Sequence, residues 1–308
     1  MKTMPMSRRL VPAILAILLG LTSTSCLFTR RVILRHNKKV APGAAAPVLL
    51  KATRDELNMR LANIYNAINS FQAKVQLTPS VGSVYTGQIT EIHDVTAFVL
   101  FRKPADIRIG GNTPVIGTRL FDMVSNGNEF KLQLYEKSLF IIGSNDAPPT
   151  SKSKLENLRP EAFLSSMLIR PADPQTEFPM IEDFTDEDNA FYILNFARRA
   201  ADGSLILSRT VWFDRVEDLN IVRQMVFDPS GSGDKVSDTR YAKWQSFNGV
   251  MFPTNIDINR PLDGYGLVLE ILDPKDPKEM KMNTELTDDK FVLNQPEGYK
   301  VQTIGAPK

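Results

Sequence analysis

The sequence of 308 residues is poor in the side chains that build many catalytic and metal sites. It has one cysteine, Cys26, and two histidines, His36 and His93, whereas zinc sites need clusters of these residue types. It has no P-loop and no glycine fingerprint for a dinucleotide. Ser151 and Lys154 match an S-x-x-K spacing, but the companion motifs S-D-N and K-T-G are missing. We therefore expect a protein that is not an enzyme and that carries no metal or organic cofactor.

Weaker motifs leave some alternatives open. A Ser-His-Asp arrangement built on His93 is the remaining route to a hydrolase, although no nucleophile-elbow motif accompanies it. The segment 228–239 partly matches a calcium-binding loop, but its twelfth position is Thr239 instead of the bidentate glutamate. The acidic run at 182–188 could hold calcium weakly, and we interpret both segments as solvated loops.

Only one apolar run resembles a membrane segment, and it extends from Leu10 to Leu21. Its dozen residues are too few for a transmembrane helix, which takes about 20. Three basic residues precede the run and small polar residues follow it. This order is typical of a secretory signal peptide, which we assign to residues 1–25.

Cys26 follows the signal peptide directly. A lone cysteine in a secreted protein is usually a free thiol or forms an intermolecular bridge. Because Ser23, Thr24 and Ser25 precede it, the pattern resembles the lipobox of bacterial lipoproteins, with Ser23 where leucine is usual. The resemblance implies cleavage before Cys26, a diacylglycerol on its thiol and an acyl chain on its new amine. The alternative is an ordinary signal with an incidental cysteine.

Residues 26–53 are predicted to form a basic tether between this anchor and a folded body. The tether has no acidic residue and contains a Pro/Ala-rich stretch at 40–47. Beside an acylated cysteine its charge would lie on anionic lipid, where each cation contributes about 1 kcal/mol; the alternative is a merely soluble tether. The body has 28 basic and 35 acidic residues, an acidic balance that argues against nucleic acid. The basic residues of the tether region are Arg30, Arg31, Arg35, Lys38, Lys39 and Lys51.

The body begins with the clearest helix signal in the sequence. Thr53 and Glu56 form a capping-box pattern, and the spacing that follows predicts a helix over Arg54–Ser70 with one apolar stripe. A second, shorter helix is predicted at Pro160–Leu168, because proline favours the first turn. The apolar residues that we expect these helices to present are Leu57, Leu61, Ile64, Ile68, Phe163, Met167 and Leu168.

From Phe71 onward the apolar period changes to two, which predicts strands. Turn dipeptides such as Asn126-Gly127 and Asp202-Gly203 separate successive runs and indicate hairpins. We count about eleven strands and expect a mainly β, α+β fold over residues 54–308, in which a curved antiparallel meander is covered by the two helices. The stripe residues either fill the concave side or leave a dry cavity that suits acyl chains.

The order of these elements resembles the LolA/LolB-like family of lipoprotein carriers and receptors. The resemblance rests on the N-terminal helix leading into 71–76, a strand ending in 102–108, the hairpin around 120–128, the helix at 160–168, and the closing segment at 291–301. It implies an incomplete antiparallel barrel whose apolar cavity takes lipoprotein acyl chains. In the carrier, an arginine before the strand-ending proline latches the lid. Here that position is Lys103, and alternation turns Arg102 to the other face.

The sequence therefore predicts a lipid-anchored protein of the outer membrane whose domain faces the periplasm. Leu27 is not the aspartate that retains some lipoproteins at the inner membrane. We expect Leu57, Leu61, Ile64, Ile68, Phe163 and Met167 to line a site for acyl chains of a lipoprotein or lipid. A periplasmic carrier protein is a further expected partner. The alternative is a sensor or protein-binding module with the same fold and a filled core.

Overall fold

The computed structural model describes residues 48–305, apart from 84–86, 92, 115, 147–158, 187–188, 275 and 277–278. The predicted signal peptide, Cys26 and most of the tether lie outside the described residues. No helix in the described part has the length and apolar character needed to cross a membrane.

Helix α1 spans Arg54–Ala67. Its predicted capping box is present, because the Thr53 N–H donates to the Glu56 carboxylate at 2.7 Å and the Glu56 N–H donates to the Thr53 hydroxyl at 3.3 Å. The helix ends three residues earlier than predicted, since Ile68 adopts an extended conformation and Ser70 already begins the first strand. Helix α2 spans Pro160–Met167 with proline in its first turn, as predicted.

The described residues contain sixteen strands, more than the eleven predicted, because several short strands have no clear sequence signal. They are β1 (Ser70–Ser83), β2 (Gln88–Glu91), β3 (Val95–Arg102), β4 (Asp106–Asn112), β5 (Arg119–Ser125), β6 (Glu129–Leu134), β7 (Leu139–Ser144), β8 (Glu177–Thr185), β9 (Ala190–Arg199), β10 (Leu205–Asp214), β11 (Ile221–Phe227), β12 (Lys235–Phe247), β13 (Val250–Arg260), β14 (Tyr265–Ile271), β15 (Met280–Met282) and β16 (Lys300–Ile304).

The strands form one large, curved and unclosed sheet. Strands β3 to β7 and β8 to β14 are two antiparallel meanders, and β1 joins them by pairing with β3 on one side and β14 on the other. Strands β8 and β16 end the strand order. The predicted mainly β fold, an incomplete antiparallel barrel with helices, is confirmed. One pairing differs from a pure meander, since β16 runs parallel to β7.

Residues 283–299, here called the C-terminal strap, connect β15, which pairs with β1, to β16 beside β7. The strap crosses the face of β3–β7 opposite the helices. Its residue Leu293 packs in a small apolar cluster with Val124 and Phe140. Arg108 Nη1 donates to the carbonyl of Lys290 at 3.0 Å. The segment predicted to be the closing extended stretch is therefore a strap that ends in β16.

The main core lies between the sheet and the two helices, on what we call the inner face. Alternate strand residues point to it, and Leu57 and Leu61 of α1 are fully buried against them. Phe71 at the start of β1 packs against Phe101 and Phe252, with ring centroids 5.4 and 5.3 Å away. This core positions both helices against the sheet.

Candidate functional site

The six apolar residues that we predicted to line a cavity are placed in two different environments. Leu57, Leu61 and Ile68 are 1% exposed or less and belong to the main core. Around Ile64, Ile68 and Met167 the interior is almost filled, with a remaining void of about 10 Å³. Phe163 instead lines a much larger cavity. A lining role for the other five residues stays a prediction.

The larger cavity has a volume of about 430 Å³ and lies on the inner face, between Phe163 of α2 and the adjoining ends of several strands. Most of its wall comes from apolar side chains of β1, β3, β5, β6 and β14. These residues were not predicted as lining, because the cavity depends on where strand ends meet. The apolar and aromatic lining residues are Leu77, Pro79, Val81, Val95, Pro114, Leu120, Phe121, Leu134, Phe163, Tyr265 and Leu267.

One local signal for this cavity is present in the sequence. Gly111 on β4 pairs with Phe121 on β5. A Cβ atom at Gly111 would lie 2.4 Å from the Phe121 ring and 2.8 Å from Val95, closer than real side chains approach. The glycine therefore allows Phe121 and Val95 to pack over the β4 backbone and form part of the wall. Glycine within a strand often marks such a close approach.

The charged side chains that line the cavity are exposed or half-buried. His93 is exposed, and the Asp94 carboxylate accepts hydrogen bonds from Gln76 Nε2 at 2.7 Å and Thr78 Oγ1 at 2.6 Å. The Asp94 carboxylate therefore already has two hydrogen-bond donors from β1. Among the described residues no hydrogen bond joins His93 to a serine. Burial raises the pKa of Tyr265 to about 12, so this phenol adds no charge to the wall at neutral pH.

The two predicted latch residues point to opposite faces of the sheet, as alternation indicated. Lys103 Nζ donates to the carbonyl of Tyr65 in the last turn of α1 at 2.6 Å and lies 4.2 Å from the centre of the Tyr65 ring. A cation is favourable at the C-terminus of a helix. Burial lowers the pKa of Lys103, although its ammonium keeps the hydrogen bond to the Tyr65 carbonyl. Lys103 therefore fastens α1 to the end of β3.

Arg102 holds the C-terminal strap instead of a helix. Its guanidinium pairs with Asp106 at 2.6 Å and with Asp288 at 2.8 Å, and it donates to the carbonyl of Leu286 at 2.8 Å. It also lies 4.9 Å from the centre of the Phe291 ring. Arg102, the last residue of β3, thus fixes the strap on one face of the sheet, and Lys103, which follows the strand, fixes α1 on the inner face.

Comparison with known proteins shows similarity of fold. No family model matches the sequence, and no curated protein matches it. A DUF1329 family protein from Desulfovibrio piger superposes with a TM-score of 0.51 at 14% identity, over 78% of this chain and 95% of that one. A LolA superfamily protein from Nitrosomonas europaea gives 0.49 at 16% identity, over 79% and 99%. An outer membrane lipoprotein-sorting domain from Vibrio parahaemolyticus gives 0.49 at 9%, over 78% and 97%.

At these identities the comparisons concern the fold alone. The architecture implied by the resemblance to the LolA/LolB-like family, an unclosed antiparallel barrel with helices on its inner face, is present in this chain.

Proposed function

We propose that this chain is an outer-membrane lipoprotein whose periplasmic domain binds acyl chains of a lipoprotein or lipid in the cavity beside Phe163. The observation that carries the proposal is the cavity of about 430 Å³ with a largely apolar wall. Its size falls in the range of about 300–1,000 Å³ that is typical of ligand pockets. Each methylene buried there contributes about 0.8 kcal/mol to binding.

The arrangement of polar groups supports an amphipathic ligand. The apolar wall excludes charge, while His93, Glu136 and Lys137 line the same cavity at exposed positions. An acyl chain would occupy the interior and leave its polar end among these rim residues. Such binding requires no bond to be made or broken in the ligand, so the proposed role is transfer or reception of lipid and not catalysis.

Anchoring through Cys26 completes the proposal. The lipobox resemblance implies that diacylglycerol and a further acyl group are attached to this residue, and Leu27 favours export to the outer membrane. A protein fixed in this way would receive its cargo from a soluble periplasmic carrier, which is the partner we propose.

Mass spectrometry of the full chain purified gently from membranes tests this function. We expect one or more lipids to co-purify in a fixed ratio to the protein. The matched control is Val81→Trp, which puts an indole at a half-buried position of the cavity wall and should lose the lipid. Equal lipid content in both proteins would show that the lipid is bound elsewhere and would contradict the proposal.

A second candidate function, a protein-binding module, is favoured by strand β8. This strand ends the sheet, and its side chains Phe178, Met180, Ile181 and Phe184 are between 38% and 51% exposed. Among the described residues no further strand pairs with β8, and an edge of this kind accepts an extended segment of another protein as an added strand. A photo-crosslinker at Met180 in cells should then join one partner, whereas one at Met59, an exposed position on α1, should not.

A further inference from the structure

The sheet carries a second apolar surface, on the face opposite the helices, which we call the outer face. Tyr192 of β9 and Phe213 of β10 belong to the main core. Because side chains alternate along a strand, their neighbours Phe191 and Trp212 point to the outer face. Apolar residues of β8, β9 and β10 share this face across the paired strands. They form what we call the outer patch: Phe178, Met180, Phe184, Phe191, Leu207 and Trp212.

The outer patch is aromatic at one end and well exposed. The Phe184 ring lies 6.4 Å from Phe191 and 5.5 Å from Trp212 between ring centres, and the last two are 5.7 Å apart. Phe178, Met180, Phe184 and Leu207 are between 38% and 51% exposed. A contiguous apolar surface of this kind marks a site of contact with a membrane or another protein.

Two arginines lie beside the aromatic rings of the patch. The Arg223 guanidinium is 5.5 Å from the centre of the Trp212 ring and pairs with Asp238, and the Arg199 guanidinium is 5.7 Å from the centre of the Phe178 ring. Long cationic side chains bury their stems along apolar surface and keep the charge at the headgroups of a membrane. Tryptophan is likewise enriched at the membrane–water interface. The composition therefore favours a lipid surface.

A carboxylate on the same face restricts the kind of lipid. Glu182 lies between Met180 and Phe184 along β8, where its side chain accepts a hydrogen bond from Asn195 Nδ2 at 2.9 Å. An anionic surface would repel this exposed carboxylate. The headgroup of a neutral phospholipid has a phosphate for the arginines and a cationic group for Glu182, so a neutral bilayer fits both signs of charge.

The chain enters the folded body beside the outer patch. The Leu50 N–H donates to the carbonyl of Arg215 at 2.9 Å, and Arg215 Nε donates to the carbonyl of Leu50 at 3.1 Å. Arg215 follows the last residue of β10 and lies three positions after Trp212, about 10 Å along the strand. It also pairs with Asp183 of β8 at 2.8 Å. The segment that leads from Cys26 therefore joins the body at the aromatic end of the patch.

We propose that the outer patch lies against the surface of a bilayer of neutral phospholipids, with Phe184 and Trp212 at the level of the headgroups. The inference rests on the anchoring part of the proposed function, because the lipid on Cys26 keeps the body close to a membrane. Contact through the outer face turns the inner face, with its cavity of about 430 Å³, away from the bilayer, where a soluble carrier can reach it.

Quenching of tryptophan fluorescence tests this contact, because the chain has two tryptophans and they lie on opposite faces. Trp244 packs against the main core and its indole N–H donates to the carbonyl of Ile221 at 2.9 Å. The full chain purified from membranes is reconstituted in phosphatidylcholine vesicles whose acyl chains are brominated near the headgroup. We expect strong quenching in Trp244→Phe, which retains Trp212, and little in Trp212→Phe. Absence of quenching in Trp244→Phe, or equal quenching in both variants, would overturn the proposal.

A double substitution at the exposed side chains of β8 tests the assigned residues. In the Trp244→Phe background, Phe178→Ser with Met180→Ser should remove most of the quenching, since both side chains are exposed apolar members of the patch. The matched control is Met59→Ser, which changes a 59% exposed side chain on α1 and should leave the quenching unchanged. Thermal unfolding shows that each variant is folded, and full quenching in a folded double variant would contradict the assignment.

The same preparation separates a failure of the patch from a failure of the anchor. The mass of the purified protein shows whether Cys26 is acylated. Acylated protein without quenching of Trp212 would overturn the patch alone, whereas unacylated protein whose Trp212 is still quenched in the vesicles would overturn the anchor and support the patch. A protein crosslinked at Met180 in cells, together with unquenched Trp212, would assign this face to a protein partner and exclude the lipid surface.

Discussion

The substitution Val81→Trp separates a ligand cavity from ordinary core packing within a single strand. Val81 and Val75 both belong to β1 and are an even number of residues apart, so they share the inner face of the sheet. Val81 is half-buried and lines the cavity of about 430 Å³, whereas Val75 is 1% exposed and packs in the filled core. Tryptophan is therefore expected to weaken ligand binding at Val81 and to lower the stability of the fold at Val75.

At Val81 the indole has space to occupy, so we expect the free energy of unfolding to change by less than about 0.5 kcal/mol. The variant should instead lose affinity for an acyl chain. An indole that displaces about three methylenes of an acyl chain removes about 2.4 kcal/mol of burial at about 0.8 kcal/mol each. That corresponds to a dissociation constant roughly fifty-fold weaker.

At Val75 the indole has no space, and overpacking costs about 1–3 kcal/mol. In a domain of this size, each kcal/mol lowers the melting temperature by about 2–4 °C. We expect Val75→Trp to melt several degrees lower than the wild type and to retain its binding sites where it is still folded.

Thermal unfolding and displacement of a fluorescent acyl probe, measured on both variants, decide the matter. The reasoning is refuted if Val81→Trp binds the probe as tightly as the wild type does, or if the wild type does not bind it. A large loss of stability in Val81→Trp would show that the cavity closes in solution.

The remaining predictions concern the anchor, the latch, the first helix and the pH response. Cys26→Ser should release the protein from membranes or leave it uncleaved, and an outer-membrane fraction that still contains the variant would contradict the lipoprotein assignment. Lys103→Met removes a charge-assisted hydrogen bond of 2.6 Å to α1 and should cost about 1–2 kcal/mol, with faster amide exchange at the end of the helix; unchanged exchange would exclude a latch. Leu61→Trp, at a fully buried position, should lower stability by about 1–3 kcal/mol, and full stability with loss of the acyl probe would instead place Leu61 in a lipid site. Because burial raises the pKa of Glu161 above 4.5 in the folded state, its favourable contribution is complete below that pH and is lost as the pH rises through the folded pKa; Glu161→Gln should therefore raise the melting temperature at pH 7 and leave it unchanged near pH 4.

Local patterns in the sequence were sufficient for most of the secondary structure. The capping box at Thr53 and the proline at the start of α2 depend on neighbouring residues, and both helices begin where those signals predict. The hairpin at Asn126-Gly127 and the alternation along β10 likewise follow from turn chemistry and from the period of a strand. Alternation also predicted that Arg102 and Lys103 point to opposite faces.

Other features depend on contacts between parts of the chain that are far apart in sequence, and local patterns do not predict such contacts. Strand β1 pairs with β14, almost 200 residues later, and β16 returns to run parallel to β7. The partners of Arg102 and Lys103, the strap and α1, follow from these long-range pairings. The α1 stripe predicted a buried face correctly but not whether the face meets filled core or open space.

The position of the cavity is the feature that local sequence patterns predicted least well. Residue patterns were enough to predict that an amphipathic helix and a short proline-led helix would cover a curved antiparallel sheet. It could not show that α1 packs into the core while Phe163 of α2 lies beside a cavity of about 430 Å³. A cavity is the volume that packed side chains leave unfilled. Its existence depends on how closely residues from six elements approach one another, and these approaches are set by long-range packing of the folded chain.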